Sequence, residues 1–145
     1  MGRHLLVPLD GSDPAWSALD HAVANERGDR ITVLHVVDPA AGTYAWTEGG
    51  YFDHEAFERA TDRGEELCDR ARDRLAEAGA LEDLRFESAV EVGKPARTII
   101  RYAEDHDVDH VVMGSHGRKG VARILLGSVA ETVTRRAPVP VTIVR

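Results

Sequence analysis

The residues best suited to chemistry stand in one run, Val112-Met113-Gly114-Ser115-His116-Gly117-Arg118, and Gly127-Ser128-Val129 follows with nine residues between Gly117 and Gly127. An apolar strand that stops at a glycine delivers backbone into a loop, and chemistry in parallel sheets gathers at the carboxyl edge where such loops emerge. Gly114, Gly117 and Gly127 are expected to give the backbone positive φ and bring bare amides close to an anion. Ser128-x-x-Glu131 reads as a capping box, making Ser128 the mark of a helix N-terminus whose free N–H groups and dipole favour phosphate. A second candidate is Asp10, which follows the apolar run from His4 to Leu9. A carboxylate cannot favour bare phosphate, so its sensible roles are hydrogen bonding to ribose hydroxyls or holding a divalent metal that bridges phosphates.

The elements that must position these groups alternate strand and helix five times, the pattern of a doubly wound α/β sheet with helices on both faces. His4 to Leu9 is a first buried strand, and Asp13-Pro14 opens a helix with Ala15, Ala18, Leu19, Ala22 and Val23 at helical spacing. Ile31 to Val37 is a second, β-branched strand. Ala40 to Asp53 has no clear period, and its Tyr44, Trp46 and Tyr51 either cover a ligand or pack against the following helix. Phe57, Ala60, Leu67, Ala71, Leu75 and Ala78 line that long helix up to Gly79. Alternation from Phe86 to Val92 predicts a half-exposed edge strand, and Pro95 begins a third helix with Ala96, Ile99, Ile100 and Ala103 inward. His110 to Met113 is a fourth strand; Val139 to Val144 is a fifth, and its Pro140 confines it to an edge or to a strand start.

The spacing Gly-x-x-Gly, nine residues, Gly-Ser resembles the ATP-binding signature of the universal stress protein family. The resemblance spans the chain through the opening His4 to Ser12, Leu34 to Asp38, the Gly93-Lys94-Pro95-Ala96 turn and Ala137 to Val141. It implies a single domain over residues 1–145 with five parallel strands ordered 3-2-1-4-5, which sets Asp10 beside Gly114 at the topological switch point. It further implies ATP with Mg or Mn, the metal at Asp10. Pro8 and Met113 would then surround adenine beside Leu9, and Val36 would offer backbone groups to its edge. Gly114, Gly117, Gly127, Ser128 and Val129 would cradle the phosphates. Arg118 and Lys119 either add charge there or stand as solvated loop cations. The implied role is that of a stress-response regulator, a nucleotide-dependent homodimeric switch paired along Val139 to Val144 and sensed by a further protein partner. A slow, metal-dependent ATP hydrolase or nucleotidyl-transfer enzyme is the alternative, as is a purely structural nucleotide.

Composition narrows the field. At 145 residues with net charge -7 and a pI near 5.4, the chain suits neither a nucleic-acid groove nor an anionic membrane surface. Cys68 is the lone cysteine and no stretch is apolar enough to span a bilayer, so a reducing, cytoplasmic setting is expected. His54-Glu55 begins a zinc-protease pattern, but Glu58 stands where the second histidine is needed. The Asp105 to His110 run looks metal-binding, yet it falls where a helix ends and a strand begins. There is no Walker lysine motif, and His116 is the one candidate base for water, so turnover is expected to be slow or absent. Ser115 and His116 are not expected to aim at one another as loop neighbours.

Overall fold

The computed structural model describes residues 2–26, 28–41, 53–116 and 126–145. Five strands, β1 (His4–Pro8), β2 (Arg30–Val37), β3 (Arg85–Val92), β4 (His110–Gly114) and β5 (Val141–Val144), form one sheet ordered β3-β2-β1-β4-β5. Every pairing is parallel. Among the described residues four α-helices connect them: α1 (Asp13–Asn25), α2 (His54–Glu77), α3 (Pro95–Asp105) and α4 (Ser128–Arg136). Because successive strand residues face opposite ways, the buried central strands feed two cores. Leu5, Val7, Ile31, Val33 and Val112 pack under α1 and α2, while Leu6, Leu34, Val111 and Met113 meet Ile99, Tyr102 and Ala103 of α3 and Val133 of α4.

Local chemistry sets the element ends. Ser12 caps α1 by accepting the Ala15 N–H, and Asp53 caps α2 by accepting that of Ala56. Gly79, at φ 73, turns the chain out of α2 in a conformation that side chains disfavour. β5 starts at Val141, two residues later than expected, because Pro140 has no N–H to give; its carbonyl still accepts from Val111 N. Pro140 O and Val144 O both point at β4, so by alternation the backbone groups of Val141 and Ile143 face the open edge. Their side chains pack into the core on the α3–α4 face. The opposite edge, β3, is charged: Arg30 grips Glu87 through two hydrogen bonds of 2.8 and 2.7 Å, and Arg85 joins them.

At the amino edge of the sheet two histidines are buried. His4 Nδ1 donates to His106 O, and its Nε2 accepts from the Thr32 hydroxyl. His110 Nδ1 accepts from Arg3, so its Nε2 donates to Thr142 Oγ1. Burial is the main cause that lowers both pKa values below the usual 6.5.

Candidate functional site

At the carboxyl edge, β1 and β4 end side by side, and between their exits lies a cavity of about 580 Å³, within the range of small-molecule sites. Its lining joins apolar Pro8, Leu34, Val36, Ile99 and Met113 to polar Asp10, Ser12, His116 and Ser128 and to the Gly127–Val129 helix start. The structure thus gathers Pro8, Leu9, Asp10, Val36, Met113, Gly114, Gly127, Ser128 and Val129 around a single space. Gly117, Arg118 and Lys119 lie outside the described residues, as do Tyr44, Trp46 and Tyr51 of the candidate lid.

Asp10 is held by its own loop. Gly11, at φ 85, bends the chain so that Asp10 Oδ1 accepts both Ser12 N at 2.9 Å and Ser12 Oγ at 2.6 Å. The same Ser12 Oγ accepts the Ala15 N–H at 3.3 Å, which ties the carboxylate to the cap of α1. With Oδ1 engaged, Oδ2 is the oxygen left for a ligand. Among the described residues no group of three or more His, Cys, Asp or Glu side chains could hold a metal ion. The Asp105 to His110 run is dispersed: His106 stacks on Tyr102 with ring centroids 3.7 Å apart, and Asp109 accepts from His4 N.

The glycines work differently from the expectation. Neither Gly114 nor Gly127 has positive φ; Gly127 sits at φ -65. A Cβ on Gly114 would lie 2.8 Å from the Pro14 backbone, so this glycine admits the first turn of α1 against the end of β4. Gly127 donates its N–H to Ser115 O at 2.7 Å and is therefore no anion donor; a Cβ there would press on His116 Cα at 3.1 Å. The capping box also fails to form. Gly127, not Ser128, is the N-cap, and Glu131 pairs instead with Arg135 at 2.6 Å. Ser128 is the first helical residue, exposed, and among the described residues no side chain caps this helix start. The first turn of α4, uncapped by any side chain among the described residues, therefore opens on the cavity, where its N–H groups and dipole favour an anion by another route.

Ser115 and His116 do meet: Ser115 Oγ lies 3.1 Å from His116 Nδ1. The cause is backbone anchoring, since Ser115 N donates to Val144 O while Ser115 O accepts from Gly127. Ser115 is only 7% exposed, so it braces the imidazole at the cavity rather than offering a nucleophile. Sequence reasoning missed Ser12, Ala15, Leu34, Pro95, Ile99 and Ala130 as cavity residues. The capping chemistry of Ser12 and the position of Pro95 at a helix start were the available signals.

The model of the universal stress protein family matches residues 1–145. Universal stress protein YxiE of Bacillus subtilis is 32% identical over 152 residues, covering 100% of both chains. The structure of universal stress protein UspA from Lactobacillus plantarum superposes with a TM-score of 0.79 at 28% identity, covering 99% of this chain and 97% of that one. A universal stress protein solved in complex with cAMP superposes at 0.67 with 25% identity, covering 99% and 97%. A match along the whole length, with the same strand order beneath it, places the chain in the universal stress protein family.

Proposed function

We propose that this protein binds ATP at the carboxyl-edge cavity and acts as a stress-response regulator, a homodimer whose state follows nucleotide occupancy. The observation that carries the proposal is that one cavity is lined by apolar, carboxylate and helix-start groups together. Apolar Pro8, Val36 and Met113 suit a base, Asp10 Oδ2 suits ribose hydroxyls or a bridging cation, and the uncapped start of α4 suits phosphate. A relative solved with cAMP supports an adenine nucleotide as the ligand class. A magnesium ion fits only in part: among the described residues lining the cavity Asp10 is the one carboxylate, so the phosphates would supply most of its oxygens, which is how this ion is commonly held. Calorimetry with ATP and with AMP, each with and without magnesium, tests the proposal. Saturable binding that favours ATP and weakens in an Asp10→Ala variant is expected; a folded protein silent at millimolar ATP overturns it.

A slow hydrolase has one observation in its favour, the imidazole of His116 braced at the cavity by Ser115. Phosphate release faster than about 1 s⁻¹, the low end of ordinary turnover, and lost in His116→Gln, would establish that activity.

A further inference from the structure

We propose that His35 is a positioning residue for the nucleotide site, fixing the peptide between Leu9 and Asp10 and through it the aim of the Asp10 carboxylate; this rests on the site proposed above. The β1–β2 register ends with Pro8 opposite Leu34, and Leu9 N still donates to Leu34 O at 2.8 Å. At that point a side chain takes over: His35 Nδ1 lies 2.8 Å from Leu9 O. A carbonyl only accepts, so the imidazole donates from Nδ1. Leu9 O and Asp10 N belong to one planar peptide, so holding that oxygen fixes the plane from which Asp10 departs.

The imidazole itself is clamped. Gly64 of α2 is buried against it, and a Cβ at that position would come within 2.5 Å of His35 Cδ2. Only a glycine lets the helix backbone close on the ring. Three residues further along α2, Leu67 meets the Gly11 side of the same loop, 3.3 Å from where a Cβ would stand. Helix α2, which contributes nothing to the cavity lining, thereby sets the geometry of the residue that does. This accounts for a histidine between apolar Leu34 and Val36 near the carboxyl end of β2.

The test compares His35→Asn, whose amide nitrogen falls near the place of Nδ1 and keeps the donor, with His35→Leu, which removes it. Two readouts are taken on folded protein: the side-chain carboxyl carbon shift of Asp10 by NMR, without nucleotide, and ATP affinity with magnesium. His35→Leu is expected to move the Asp10 shift and weaken ATP by about fivefold, the worth of one hydrogen bond, while His35→Asn restores both. In an Asp10→Ala background the affinity loss from His35→Leu should vanish, because a positioning effect has nothing left to position. An Asp10 shift unchanged in His35→Leu, or an affinity loss that persists undiminished without Asp10, overturns the proposal. If the shift moves and is rescued but no variant nor the parent binds ATP, the positioning role stands and the nucleotide proposal falls.

Discussion

At the scale of single residues, the buried histidines make the fold acid-sensitive away from the site. His4 and His110 have folded pKa values below the unfolded 6.5, chiefly through burial, with Arg30 and Arg3 respectively adding to the effect and Glu87 and Glu26 opposing it. Their contribution to stability is complete above that pH and is lost as the pH falls through the folded values. His4→Asn, which keeps a donor toward His106 O, should therefore lose less stability than the parent between pH ~7 and ~5.5, as measured by urea unfolding at each pH. The carboxylates act lower down: hydrogen bonds from Arg74 and Arg30 depress Asp20 and Glu87, so their contribution disappears only as the pH falls further into the carboxylate range. The sequence made Asp10 and Met113 legible as cavity-lining residues because residue type and strand-end position coincide there, and Ser128 because a glycine precedes it at a helix start. It could not reveal that Gly114 and Gly127 serve close packing, since a glycine needed for φ and one needed for clearance look alike in a sequence.

Between elements, the tight joint is where α1 meets the end of β4. Gly114→Ala would drive a methyl into the Pro14 backbone, and we expect it to cost about 1–3 kcal/mol in denaturant unfolding and to weaken ATP as well, because α1 carries Ser12. Ser128→Ala separates the two possible roles of that hydroxyl. It caps nothing, so stability should change by less than about 0.5 kcal/mol, whereas a working cap would cost about 1 kcal/mol; ATP affinity should fall nonetheless. The five strands and the first three helices were legible from period and turn residues, whereas α4 was expected only from a capping box that does not form. The errors fell at ends such as Val139 and Ser128, where one missing N–H or one competing partner, Arg135 for Glu131, decides the boundary.

For the whole molecule, the two sheet edges are unequal. β3 is guarded by Arg85, Glu87 and Glu91, while β5 offers uncharged Val141-Thr142-Ile143-Val144, and we expect a homodimer to form there. Charges at Val141 or Ile143 would test the wrong thing, because those side chains enter the core. Val141→Pro instead deletes an N–H that faces the open edge. Light scattering at micromolar concentration should give a dimeric mass for the parent and a monomeric one for the variant; a monomeric parent ends the proposal. The strand order came from resemblance, not from period, since period cannot say which strand lies beside which. One hydroxyl has a consequence at this scale. Ser12 Oγ is shared between Asp10 and the Ala15 amide, and α1 packs on both β4 and β5. A ligand bound at Asp10 Oδ2 draws charge from the carboxylate whose Oδ1 holds Ser12, so occupancy should be written into the deuterium uptake of that first helical turn, a clock readable even when the ligand leaves no other trace.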